Sequence, residues 1–387
     1  LHSFPTRRSS DLRTSALTLA LCLAALGAFA QNGHANEAIR IGLMGPMTGS
    51  WASEGQEMKQ VVELLAEQYN QAGGVLGRKI EILTEDDGSD PRTASLAANK
   101  LATRNIVAVI GTYGSSITEA SQSIFDEAGI VQIANGSTAV RLSAKGMPNF
   151  FRTCPRDDDQ GKMAASALKK LGAKKVAILH DNTSYAKGLA EESREHLQAA
   201  GVSVIFFDAL TPGELDYNAI LTKLKAADAD FVFFTGYYPE AGLLLRQKKE
   251  MGWTVPFMGG DAVNNPALIE TAGTAAAEGF YFVSPLLPAN LDTPDAKSFV
   301  EAFTKKYGNA PKSIYPVLAG DGLRVLVEAF KQTGTTESAK VSAYLKSALK
   351  NYSGLTGPLA FSESGDRAGN VYRLYRVDAR GLFVPEN

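Results

Sequence analysis

The chain has 387 residues, 45% of them hydrophobic and 21% charged, with a formal net charge of -2. That balance belongs to a soluble globular protein with a well-buried core. It leaves no electrostatic footprint for a nucleic acid or an acidic membrane surface.

Residues 1–12 match neither a targeting signal nor a fold and are set aside as an extension foreign to the protein. Residues 13–30 read as a signal peptide. Arg7, Arg8 and Arg13 precede the uncharged apolar run from Ala16 to Ala30, and Ala28-Phe29-Ala30 is a small-x-small cleavage site. The run falls short of the ~20 apolar residues that a spanning helix needs, so cleavage near Gln31 and a periplasmic location are expected. Cys22 leaves with that segment; Leu21 stands before it, where lipidation expects a small residue. Cys154 then has no intramolecular partner and reads as a small buried hydrophobe. About 350 residues remain, a prior for two domains.

From Glu37 onward β and α patterns alternate. Ile39–Met44 reads as a strand, Gln56–Ala72 as a helix and Lys79–Glu85 as a strand. Asp90-Pro91 supplies a cap and first residue for the helix Asp90–Arg104. Val107–Gly111 and Ile130–Ala134 are apolar strands around a helix at Ser116–Ala128. After a break near Arg152–Asp158 the alternation restarts. Strands are expected at Val176–His180, Val202–Asp208, Phe231–Thr235, Pro256–Gly259 and Gly279–Val283. The tail adds helices at Asp295–Tyr307, Pro316–Lys331 and Val341–Asn351, and a strand at Val371–Val377. The fold class is therefore α/β, with two doubly wound lobes built on parallel sheets covered on both faces.

Ligands of open α/β sheets bind beyond the carboxyl ends of the strands, at helix N-termini. Two such loops are Gly111-Thr112-Tyr113-Gly114-Ser115-Ser116 and Asn135-Gly136-Ser137-Thr138. Ser116-Ile117-Thr118-Glu119 fits a capping box, which assigns the cap to Ser116 and frees Ser115. Hydroxyl-rich helix starts without Lys or Arg suit a carboxylate, and the P-loop pattern is absent. In the second half, Asp261 follows a strand and suits an ammonium group. Trp51, Tyr113, Tyr185, Tyr237 and Tyr315 offer apolar walls. Plain capping explains Ser115 and Thr138 equally well, a turn explains Asp261, and core packing explains each aromatic. Asp157-Asp158-Asp159 reads as a solvated helix start.

Catalysis has little support. Only His180 and His196 lie in the folded region, which argues against a His-rich metal site and a Ser-His-Asp triad. Asp86-Asp87-Gly88-Ser89-Asp90 resembles a calcium loop only loosely, because the required Glu is missing. No enzyme activity, metal or cofactor is expected.

From Glu37 to the end, the chain resembles the Leu/Ile/Val-binding proteins of bacterial branched-chain amino-acid ABC transporters, which have the type I periplasmic binding fold. The resemblance rests on Gly45-Pro46-Met47-Thr48-Gly49, Asp86-Asp87-Gly88-Ser89-Asp90-Pro91, Gly111-Thr112-Tyr113-Gly114-Ser115-Ser116, Ala134-Asn135-Gly136-Ser137-Thr138, Phe151-Arg152-Thr153, His180-Asp181, Gly236-Tyr237-Tyr238-Pro239-Glu240 and Phe257-Met258-Gly259-Gly260-Asp261. It implies a free amino acid, branched-chain aliphatic first, held in the cleft and delivered to an inner-membrane permease by a monomer. It places Ser115, Gly136 and Thr138 at the α-carboxylate, Asp261 at the α-ammonium, and Tyr185 and Tyr237 on the second lobe. It also implies three crossings between lobes, near residues 153–158, 284–288 and 360–366. Lobe 1 would then hold 37–155 and 286–362, and lobe 2 would hold 156–285 and 363–387. Three departures stand out. Ser89 and Gly114 replace a disulfide pair found in some members. Asp261 is one methylene shorter than the usual Glu. Glu54 stands near where an aromatic closes the side-chain pocket, which keeps an amide, urea-like or aromatic acid ligand, or a sensory module, as the alternative.

Overall fold

A computed structural model describes residues 37–386; the signal-peptide reading and Cys22 lie outside the described residues. Fourteen strands are described, and most lie in two sheets. The first is five-stranded in the order β2-β1-β3-β4-β5. Its strands are β1 (Ile39–Gly45), β2 (Ile80–Asp86), β3 (Ala108–Ile110), β4 (Val131–Ala134) and β5 (Phe150–Arg152), and all its pairings are parallel. The second contains β6 (Lys175–His180), β7 (Ser203–Ala209), β8 (Phe231–Thr235), β9 (Phe257–Gly259), β10 (Tyr281–Ser284), β13 (Arg373–Val377) and β14 (Phe383–Pro385). Its order is β14-β13-β10-β9-β8-β6-β7, with β13 and β14 antiparallel at one edge. β11 (Tyr352–Gly354) and β12 (Gly357–Leu359) form a separate hairpin.

Side-chain chemistry sets the strand order. β3, β4, β8 and β9 are buried along their whole lengths and apolar but for Gln132 and Thr235, as central strands between two helical layers are. β2 and β7 carry polar residues, are partly exposed, and occupy sheet edges.

The helix Ile314–Thr333 is apolar on nearly every face, and 15 of its residues are buried. It crosses the helix Ala52–Gln71 at Gly320, where an added Cβ would sit 2.8 Å from Val61 and 3.0 Å from Leu65. It starts two residues before the expected Pro316, because Ser313 accepts the amide of Tyr315 and caps it, and proline is tolerated in a first turn. Asp90 caps the helix Pro91–Ala102 as read, accepting the amides of Arg92 and Thr93. The short strands β5, β11, β12 and β14 were not in the sequence reading; three residues carry too little periodicity to be recognised. No helix among the described residues is long and apolar enough to cross a membrane.

Candidate functional site

The carboxyl ends of both sheets face one another across a cleft. Trp51 follows β1, Tyr113 and Ser115 follow β3, and Gly136 and Thr138 follow β4. From the other side come Tyr185 after β6, Tyr237 after β8 and Asp261 after β9. A cavity of about 740 Å³ opens between the lobes, with Trp51, Ser116, Glu119 and Arg141 on one wall and Asp181, Ser184, Tyr237 and Glu240 on the other. Trp51 stacks on Tyr237 at 4.1 Å between ring centroids and marks the inner limit of that cavity. Behind the pair, Tyr113 packs edge-on against Trp51, Tyr237 and Tyr315, and Tyr185 packs against Tyr237. The five candidate aromatics therefore form one continuous cluster.

Asp261 is buried behind this cluster. It is not a helix cap: the short turn Asp261–Val263 has no side-chain cap bond. The Tyr372 hydroxyl donates to its Oδ2 at 3.1 Å, while Oδ1 is buried without a partner. Burial raises its pKa to about 6, against the downward pull of the polar side chains of Tyr315, Tyr185, Tyr372 and Gln160 around it.

Asp157 corrects the reading of Asp157-Asp158-Asp159 as solvated. It is fully buried, with Oδ2 unpartnered. Burial, and next the charge of Asp261, hold its carboxyl well above the usual range. Gln160 ties the two acids together. Its Nε2 donates to Asp157 Oδ1 at 3.2 Å, and its Oε1 accepts the Asp261 amide at 2.8 Å and the Tyr185 hydroxyl at 3.3 Å. Gly260 makes room for this contact, since an added Cβ would lie 2.3 Å from the Tyr185 hydroxyl. Gln160, Tyr372 and Asp157 were all absent from the sequence reading of the site. The available signal was spacing: Asp157 and Gln160 are three apart on one helix and share a face.

On the opposing wall, the helix starts at Ser115 with Gly114 as its cap residue, so the expected Ser116 cap is corrected. Gly114 sits at φ +92, a conformation glycine adopts without strain. The expected box partner Glu119 reaches across the cleft instead, accepting from Ser184 Oγ at 2.7 Å and pairing with Arg141. Ser115 Oγ is not free as an acceptor either, because it receives the Ala139 amide at 3.1 Å. The Gly136 amide donates to Thr112 O at 3.3 Å, and an added Cβ there would lie 2.5 Å from Tyr113. The Thr138 carbonyl accepts the Asp157 amide at 3.0 Å, and the Thr138 side chain lowers the Asp157 pKa in part. His180 and Cys154 are structural, as read: His180 Nδ1 accepts the Asn182 amide, and the buried Cys154 sulfur accepts the Ser137 amide. Asp86 holds Thr48 and Gly88 in their loop.

Glu54, of uncertain facing in the sequence, points inward and is 1% exposed. Its Oε1 accepts from Asn265 Nδ2 at 2.7 Å, a bond from the opposite lobe. Next to it, the Ser53 and Tyr238 hydroxyls meet at 2.9 Å. The lobes are closed on each other. What the closed cleft presents is aromatic walls, two adjacent buried acids, and hydroxyls at a helix start.

Residues 38–381 match the periplasmic binding protein family. An amino acid binding protein of Pseudomonas aeruginosa is 35% identical over 368 residues, 94% of this chain and 96% of the relative. A leucine-, isoleucine-, valine-, threonine- and alanine-binding protein of the same organism is 33% identical over 363 residues, again 94% and 96%. Among solved structures, the branched-chain amino-acid transporter substrate-binding protein LivJ of Streptococcus pneumoniae, in complex with isoleucine, superposes with a TM-score of 0.83. It is 29% identical and is covered over 98% of its length, against 90% of this chain.

Proposed function

The chain belongs to the periplasmic binding protein family, and from that premise we propose that it captures a free amino acid between its lobes and delivers it to the permease of an ABC importer. One observation carries the reading: Asp157 and Asp261 lie together, buried, each with an unpartnered oxygen. The groups that bond Asp261 are neutral tyrosine and glutamine side chains. Ionising such acids away from water is costly, and a ligand ammonium supplies the positive charge that offsets it. The first turn of the helix Ser115–Glu127, with its amides and positive dipole end, then takes the α-carboxylate. A single chain provides both faces, so the reading needs no second copy.

The hinge follows from the same reading. Arg152 and Arg156 both pair with Asp366, at 2.6 and 2.9 Å, and Arg367 donates to Thr153 O at 3.1 Å. These bonds join the crossings near 153–158 and 360–366, about which the lobes would close.

Refolded, ligand-free protein titrated calorimetrically against the twenty amino acids tests the proposal. The relatives' names put Leu, Ile, Val, Thr and Ala first. Saturable one-to-one binding of at least one amino acid is expected. Heats indistinguishable from dilution across the whole panel would end this reading.

A further inference from the structure

The cleft holds a second pair of unpartnered polar atoms, apart from the two aspartates. Glu54 Oε2 and Tyr113 Oη are both buried without a hydrogen-bond partner among the described residues. Glu54 lies one helical turn after Trp51, whose ring packs edge-on against Tyr113 at 5.7 Å between centroids, and the Glu54 charge acts on the Tyr113 phenol. The Tyr113 ring is fixed by Trp51, Tyr237 and Tyr315, so it cannot turn away.

Glu54 is fixed as well. Asn265 Oδ1 accepts the Ala267 amide at 2.9 Å, so only its NH2 group can face Glu54. That commits Glu54 Oε1 as an acceptor, while Oε2 makes no hydrogen bond within the geometric limits although the Ser313 hydroxyl also lies near the carboxyl. Burial, which raises the Glu54 pKa to about 8, together with the neighbouring Glu57, favours a protonated carboxyl. A proton on that carboxyl would sit on Oε2, because Oε1 accepts from Asn265. Glu57 itself is occupied by the amides of Lys312 and Ser313.

Resting on the amino-acid reading above, we propose that Glu54 and Tyr113 form a polar side-chain subsite that hydrogen-bonds a hydroxyl or carboxamide on the ligand. A neutral group of that kind both accepts from a carboxylic acid and satisfies a phenol. An aliphatic side chain in the same place leaves two buried polar groups unpaired, a loss of roughly tenfold to a hundredfold in affinity.

Isosteric pairs provide the test: threonine against valine, and asparagine against leucine, titrated into refolded wild-type protein and Glu54→Leu. The wild type is expected to bind one polar member at least tenfold more tightly than its aliphatic isostere. In Glu54→Leu, the preference should vanish or reverse. Valine and leucine each binding the wild type at least as tightly as its polar isostere would overturn the subsite while leaving amino-acid capture intact. Silence across every amino acid would overturn both. A Glu54→Leu protein that folds, by its circular dichroism, yet keeps the polar preference would also overturn the assignment. The wild-type comparison decides the matter if that variant fails to fold.

Discussion

Two clusters of buried charge lie a few residues apart in the chain and differ in kind. At the hinge, Arg152 spends its guanidinium on Asp366, on the carbonyls of Ser137 and Ala139, and on the Ser143 hydroxyl. Asp366 is matched by two arginines; although burial pushes its pKa upward, Arg152 and the hydrogen bonds around it hold it below the ordinary value. In the cleft, Asp157 and Asp261 are more deeply buried and hydrogen-bond to no cation; Arg152 pulls the Asp157 pKa down only in part, and both values rise. A matched buried charge maintains a shape; an unmatched one, on the function proposed above, is met by a ligand's ammonium. The Arg152 bonds also fix the loop that carries Thr138, so the first cluster positions the second.

The sharpest way to break this contrast is to delete one acid from each cluster. Asp366→Ala strands Arg152 in the interior and is expected to cost about 3–5 kcal/mol of stability. Thermal unfolding of the ligand-free protein should shift down by on the order of 10 °C at pH 7. Asp366 has a lowered folded pKa, so its contribution is present above the unfolded value near 4 and is lost on further acidification. The penalty should therefore shrink below pH 4; a loss independent of pH would mean that packing, not charge, matters at the hinge. Asp261→Ala is expected to do the reverse. It leaves the ligand ammonium short of its counter-charge, which costs roughly two to three and a half powers of ten in affinity. Its ligand-free melting temperature should not fall. A titration showing less than about a fivefold loss would move the ammonium onto Asp157 alone.

Much of this was legible from the chain. Alternating apolar strands and amphipathic helices announce the α/β class, and strand ends locate the cleft loops, because both follow from local period and backbone geometry. Which acids are buried was not legible. Asp157, Asp158 and Asp159 are adjacent and look alike, yet only Asp157 faces inward, and helical phase relative to a distant lobe decides that. Tyr372 was beyond reach for the same reason: it bonds Asp261 from 111 residues away. The Ser116 cap failed on a backbone detail, the positive φ of Gly114, which moved the helix start by one residue.

The opposite pH slopes of the two clusters sharpen the comparison further. Asp261 has a raised folded pKa of about 6, so its contribution is fully present below the unfolded value near 4 and is lost as pH rises through 6. Above that, the ligand-free closed form carries an unmatched charge worth roughly 2–3 kcal/mol. Asp261→Asn removes the titration while keeping the shape. Its ligand-free melting temperature is expected to exceed that of the wild type by a few degrees at pH 7.5 and to match it near pH 4. Equal melting temperatures at both values would show that the empty cleft opens and hydrates Asp261.

The smallest effect concerns the cleft mouth, where charges are matched but wet. Ser184 Oγ donates to Glu119, and Arg141 reaches both Glu119 and the Ser184 carbonyl. These bonds join the lobes only when they are closed, so they should act on ligand release rather than on the ligand-free fold. The Arg141 side chain is 49% exposed and that of Glu119 28%, so solvent screens the pair. Partly exposed pairs contribute about 0.2–1 kcal/mol. Ser184→Ala is therefore expected to raise the dissociation rate about twofold to fivefold and to leave association unchanged, as read by stopped-flow tyrosine and tryptophan fluorescence. Glu119→Ala should do the same, and the double variant should add little, because both remove the Ser184–Glu119 bond and loosen the Arg141 side chain, which also donates to Ser184 Oγ. A thirtyfold loss in either single variant would place Glu119 against the ligand itself and extend the unmatched cluster out to the rim.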